Sequence, residues 1–217
     1  IIFCRHNIKW SENPKLQLLR GLILLSANLL FFYSISVISL AKALTLAFIH
    51  PLIVTALSPM ILDEKVSLKR WIAVLLGFIG ALIVIRPGFL ELNLASLAAL
   101  GCGVCYGFYL IITRKLSDTD NPLLTLLFTG VVGTIIMSVF MPAVWIPPTI
   151  NQWYMLASIG FVASIAHAFI IISYRLAEAS KLAPLGYSEI ITNIIIGYFI
   201  FYDFPDFFTF IGLFIIM

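Results

Sequence analysis

The run KLAPLGYSEIITNIIIGYFIFYDFPD, residues 181–206, decides the fold. A helix crossing the hydrocarbon core takes about 20 mostly apolar residues, and this run supplies them while carrying a carboxylate, Glu189, near its middle. The run also has a counterpart earlier in the chain. Residues 18–78 align without gaps on 157–217 at a single offset, which sets Gly21 on Gly160, Ala27 on Ala166, Ser34 on Ser173, Lys42 on Lys181 and Glu64 on Asp203. Inside the apolar runs the same offset sets Asn28 on His167 and His50 on Glu189. Five spans separate equivalent helices. Five is odd, so the two copies are predicted to cross the bilayer in opposite directions. Inverted-topology repeats are a recurring plan of secondary transporters, whose solutes bind near the midplane between the halves.

Composition agrees with a membrane-embedded chain. Of 217 residues, 62% are hydrophobic and 11% charged, with a mean hydropathy of +1.10. Soluble domains keep about a quarter of their residues charged; this chain has too few to cover its apolar surface. Membrane-length windows fall near 18–40, 43–62, 68–86, 92–113, 123–145, 153–174 and 181–202, and an eighth begins near 206. The runs are continuous rather than alternating, which argues against a transmembrane β-barrel. The fold class is therefore an all-α polytopic helical bundle of two inverted five-helix repeats, with about seven full spans and a partial eighth. Residues 1–86 form the remainder of the first repeat and residues 87–217 the second. The chain opens on Ile1 and closes within FFTFIGLFIIM, and is expected to be a portion of a longer membrane protein.

Charge orients the spans. Arg5, Lys9, Lys15, Arg20, Lys65, Lys69, Arg70, Arg114, Lys115, Arg175 and Lys181 are assigned to one side, and only Lys42 and Arg86 to the other. Under the positive-inside rule the crowded side is cytoplasmic. No basic cluster points to nucleic acid. The partners expected are the lipid bilayer and a small-molecule substrate.

Ionisable groups inside a membrane normally face protein or a water-filled cavity. Glu189 shares a helical face with Gly186, Thr192 and Asn193, and His167 shares one with Gly160, Ser164 and Tyr174. Glu189 is expected to meet a substrate cation or a proton, and His50 is its counterpart from the other copy. Tyr187, Asn193, His167, Tyr106 and Asn28 are further lining candidates. His50 also has a structural reading: Pro51 removes an amide proton and frees a carbonyl one turn back, which the ring could satisfy. His167 and Asn28 could equally bond neighbouring helices. Tyr106, Tyr109 and Thr113 share a face with Cys102, where an aromatic could stack on a flat ring or a sulfonium, or simply line the bundle core. Gly103 and Gly107 have the small-xxx-small spacing of close helix approach.

Enzyme signatures are lacking. There is no H-E-x-x-H, G-x-S-x-G or Gly-rich phosphate loop, and Tyr202-Asp203 lacks a second aspartate motif. The C-x-x-C of GCGVCYG lies in a membrane run rather than a redox fold. No enzyme activity, cofactor or metal is expected.

The segment FIHPLIVTALSPMILDEKVSLKRWIAVLLGFIGALIVIRPG resembles the EamA-type drug/metabolite transporter family, with Pro51-Leu52 opening a helix, Glu64 ending it, and Trp71, Gly77 and Gly80 marking the next. Pro184, Tyr187, Glu189, Asp203 and Pro205 match the second copy of that pattern. Within the family, RWIAVLLGFIG and YFIFYDFPD are most similar to bacterial S-adenosylmethionine uptake transporters. The resemblance implies ten helices in two inverted repeats, of which this chain carries the third to ninth and part of the tenth. It also implies metabolite transport across the bacterial inner membrane, with S-adenosylmethionine, riboflavin or amino acids as solutes. The alternative is a non-transporting remnant of a truncated gene.

Overall fold

A computed structural model describes residues 10–86, 93–201 and 206–217. Arg5, Lys9, Tyr202, Asp203 and Pro205 lie outside them. The described residues form α-helices and one 3-10 turn, with no strand. In chain order the helices are α1 (Pro14–Val37), α2 (Leu40–Ala47), α3 (His50–Ile61), α4 (Leu68–Ile85), α5 (Leu94–Leu116), α6 (Pro122–Val144), α7 (Ile150–Leu176), α8 (Ala179–Leu182), α9 (Ser188–Phe201) and α10 (Phe207–Ile216). Among them six stretches are long and apolar enough to span a bilayer: α1, α2 with α3, α4, α5, α6 and α7.

Two windows predicted as continuous are broken. Residues 43–62 divide into α2 and α3, and 181–202 into the end of α8, a 3-10 turn (Ala183–Tyr187) and α9. Proline is the cause. Pro51 has no N–H to return to Ala47, and Pro184 stands at the start of the turn; each removes one bond of the helical ladder. The breaks and ends recur at the repeat offset of 139. Val37 and Leu176 end their helices; Leu40 and Ala179, then Leu68 and Phe207, begin theirs.

Contacts divide the chain into two compact units. The first comprises residues 1–22 and 112–176, the second 23–111 and 177–217.

In the first unit, polar groups hold the opening of α1 to the end of α5 and to α6. Asp120 accepts hydrogen bonds from the Ser11 hydroxyl, from the Glu12 amide at 3.2 Å and from Gln17 Nε2 at 2.7 Å. Arg20, counted with the basic residues of one side above and lying at the start of the first predicted span, is a fully buried residue of α1. Its guanidinium donates to Thr113 Oγ1 at 3.3 Å, to the Thr125 carbonyl at 3.0 Å and to the Thr129 hydroxyl. Gly21 lets α1 approach α6 closely, since a Cβ there would lie 2.9 Å from Val132 Cβ.

In the second unit, Phe48, Val74, Ala81, Tyr187 and Ile190 form a buried apolar cluster. The α4 and α10 helices meet backbone to backbone: a Cβ on Gly80 would lie 2.9 Å from the Gly212 carbonyl oxygen. Gly103 and Gly107 seat α5 against the α2–α3 break. Cβ atoms on them would lie 2.6 Å from the Ala47 carbonyl oxygen and 2.7 Å from Ile53 Cγ2, the close approach their spacing predicts. At one rim of the unit, Arg86 pairs with Asp206 and lies over the Phe208 ring. Hydrogen bonds from Arg86 and Thr209 hold the Asp206 carboxyl well below the usual carboxylate range.

The DEKVSLKR loop does more than orient the chain. The Glu64 carboxylate accepts the Ala179 and Ser180 amides at 3.0 and 3.1 Å, so it caps α8. Arg70 Nη1 donates to Glu178 and to the Ser180 hydroxyl, both at 2.6 Å. Hydrogen bonds from Lys181 first, then Arg70, hold Glu178 below its ordinary value. A carboxyl depressed by folding stabilises above its unfolded pKa of about 4.3, and that contribution is lost as pH falls through the folded value. Acidification from neutral to about pH 3 is therefore expected to lower the thermal midpoint of wild type more than that of Arg70→Met. Equal acid sensitivity would remove the Arg70 pairing from the account.

Candidate substrate site

The two helix breaks meet in the second unit, and the residues that meet are repeat equivalents. Tyr187 Oη donates to the Phe48 carbonyl at 3.3 Å, and the two rings lie 6.0 Å apart. Their sequence separation is 139, the repeat offset itself. Both residues are buried, and Tyr187 is fully so.

His50 stands beside this junction. Its Nδ1 donates to the Ala47 carbonyl at 3.1 Å, the carbonyl that Pro51 leaves without its helical donor. The structural reading of His50 is thus realised at one nitrogen. That bond also sets the tautomer: with Nδ1 as donor, Nε2 presents a lone pair. Nε2 faces Gly186, where a Cβ would stand 3.4 Å away. The imidazole stacks on Phe48, with centroids 6.0 Å apart, and meets Tyr106 edge-on at 5.0 Å. Tyr106 in turn stacks on the fully buried Tyr109 at 5.6 Å. The result is an aromatic wall around one nitrogen acceptor.

Three predicted residues, His50, Tyr106 and Tyr187, are therefore brought together with Phe48. Glu189 and Asn193 share an exposed face of α9 with Thr192, the stripe predicted from their spacing. Among the described residues no donor reaches the Glu189 carboxylate, so its oxygens are open to a ligand. Asn28 is exposed on α1 in the second unit. His167 belongs to the first unit, where with Ser164 it lines a groove between α6 and α7; Tyr174, predicted on the same face, is buried. Two participants were missed from sequence. Phe48 looked like one apolar residue among many, though the repeat offset places it on Tyr187. Arg20 counted only as one basic residue of the cytoplasmic side, although it lies three residues beyond Gln17 within α1. No group of three or more His, Cys, Asp or Glu among the described residues is arranged to hold a metal ion.

Membrane-length helices, interrupted helices paired at their breaks and ionisable groups within apolar segments define a polytopic membrane carrier. The chain belongs to the EamA-like transporter family, whose family model matches residues 1–86 and 93–217. It is 25% identical over 206 residues to an S-adenosylmethionine uptake transporter of Rickettsia prowazekii (strain Madrid E), covering 95% of this chain and 70% of that protein. It is 30% identical over 161 residues to a riboflavin transporter of Vibrio cholerae serotype O1, covering 74% of this chain and 54% of that protein. A crystal structure of another protein superposes with a TM-score of 0.79 at 17% identity, over 96% of this chain and 75% of that one. That likeness shows the fold. The protein is a multi-pass transporter of the bacterial inner membrane.

Proposed function

We propose that this carrier moves S-adenosylmethionine, using the junction of the broken helices as its site, and that it performs no enzymatic reaction. One observation carries the reading: an aromatic wall of Phe48, Tyr106 and Tyr187 surrounds the His50 acceptor, in the unit that also presents the open carboxylate of Glu189. A sulfonium is attracted to ring faces by about 0.5–2 kcal/mol and to a carboxylate more strongly. An adenine can stack on the same rings and offer its exocyclic N–H to Nε2. The halves 1–86 and 87–217 are the inverted repeats in this proposal, with His50 and Glu189 as corresponding contacts and Asn193 one turn beyond.

Riboflavin is the second reading, favoured by the same flat aromatic wall and by the Vibrio relative. A neutral flavin would use the rings and Nε2 but gain little from Glu189. The test is uptake of labelled S-adenosylmethionine into vesicles bearing the complete protein, in competition with unlabelled S-adenosylmethionine, riboflavin and amino acids. Competition by unlabelled S-adenosylmethionine alone supports the proposal. Uptake of labelled riboflavin without S-adenosylmethionine uptake overturns it in favour of the flavin. No uptake of any of them leaves the remnant reading standing.

A further inference from the structure

Nδ1 of His50 is committed to the Ala47 carbonyl, and among the described residues nothing bonds Nε2. The imidazole is half-buried. In front of Nε2 stands Gly186, in the 3-10 turn Ala183–Tyr187. A Cβ built there would lie 3.4 Å from Nε2 and 3.5 Å from Pro51 Cγ, with nothing else outside its own turn within 4 Å. Both ring carbons beside Nε2 are therefore farther off than 4 Å, which puts that Cβ off the edge of the imidazole, on the lone-pair side, and not over its face. Neither backbone nor packing calls for glycine at 186. Its φ lies outside the left-handed region, and the two distances are ordinary van der Waals contacts, unlike the 2.3 Å at Gly77. At the repeat offset its equivalent, Ala47, carries a methyl. Glycine in a helical turn is also less stable than alanine. What a methyl would change is access to Nε2. A ligand N–H has to bring its nitrogen to about 3 Å from the acceptor, into the space the methyl would take.

We infer that Gly186 is the specificity-determining residue of the junction: without a side chain it keeps the His50 Nε2 lone pair open, so the site selects flat solutes with an N–H donor at the ring edge. This assignment rests on the proposed placement of the solute at the junction and adds which edge of the solute is read. Ring contacts with Phe48 and Tyr106 favour any flat solute and do not distinguish one edge from another. The acceptor does. A solute that cannot donate leaves Nε2 unpaired, and a site that offers such an acceptor discriminates against it. An amino-purine carries the donor, whereas a purine dialkylated on that nitrogen does not.

The test sets S-adenosylmethionine against its N6,N6-dimethyl analogue, which keeps the ring and the sulfonium and lacks the exocyclic N–H. Both compete with labelled S-adenosylmethionine for uptake into vesicles bearing the complete protein. Wild type is expected to favour the parent at least about fivefold, the effect of one neutral hydrogen bond. Gly186→Ala is expected to bring that ratio to about one, through KM, with a thermal midpoint no lower than that of wild type. A glycine kept only for packing would instead lower the midpoint and the uptake of both solutes alike, which overturns the assignment. Equal competition in wild type, or a preference that survives in Gly186→Ala, overturns it as well and leaves S-adenosylmethionine as the carried solute. If riboflavin is carried in its place, the solute proposal alone fails. The same ratio is then read between riboflavin and N3-methylriboflavin, and supports or overturns the role of Gly186 on the same terms. Uptake of neither solute overturns both.

Discussion

Replacing Glu189 by glutamine in the complete transporter is expected to cut solute uptake at least about tenfold while its abundance in the membrane stays unchanged. A hydrogen bond to a charged group contributes about 1.5–3 kcal/mol, or about 10- to 150-fold in affinity. Glutamine keeps the shape and one acceptor but loses the charge, so the deficit measures recognition of a cation or proton. The fold should tolerate the change. The carboxylate is exposed and accepts no hydrogen bond from the described residues, so no internal pair is broken. Uptake should fail mainly through KM if Glu189 binds a solute cation, and through the maximal rate with altered pH dependence if it carries a proton. Wild-type uptake across pH 5–9 would remove Glu189 from the mechanism.

The second large effect is expected from Gly77→Ala. The added Cβ would lie 2.3 Å from Tyr187 Cδ2 and 2.8 Å from Cε2, far inside van der Waals contact. The ring has nowhere to go. It is fully buried among Phe48, Val74, Ala81 and Ile190, and its hydroxyl is tied to the Phe48 carbonyl. Overpacking of this kind typically costs about 1–3 kcal/mol, and here it would also pry apart the two helix breaks. We expect a lower thermal midpoint together with lost uptake. Tyr187→Ala alone should also destabilise, by about 3–5 kcal/mol as a large-to-small core change. The double variant should be markedly less unstable than the sum, because the methyl then fills space the ring has left. Strict additivity would show that the Gly77–Tyr187 contact is not the cause.

The broken helices show where sequence reasoning reaches its limit. Hydropathy reports whether a window is apolar on average, and residues 43–62 and 181–202 both are despite His50 and Glu189, so each reads as one span. Pro51 and Pro184 were in view, but proline only removes a bond. Whether a helix kinks, breaks or carries on depends on what satisfies the freed carbonyl, and here that is the ring of His50 at Ala47. Glu189 illustrates the converse. Its helical face, shared with Thr192 and Asn193, followed from spacing alone, and the structure places all three on the exposed side of α9.

Charges divided in the same way. Under the positive-inside rule the expected orientation follows from a sum of basic charges rather than from any one partner. The position of Arg20 could not be read so. Its acceptors come from α5 and α6, about a hundred positions away in sequence, and only folding brings them together. Glu64 likewise read as the acidic end of a helix, whereas its carboxylate caps α8 across a sequence distance of 115 residues.

By itself, then, the sequence determined the all-helical membrane class and the apolar runs from which the spans are built, since each depends on local periodicity or on a sum over the chain. The tertiary structure decided that the spans break at Pro51 and Pro184, that Tyr187 closes onto Phe48, and that Arg20 is buried among acceptors from α5 and α6. Those outcomes turn on single hydrogen bonds and close contacts between residues far apart in the chain. Apolar periodicity carries no record of them.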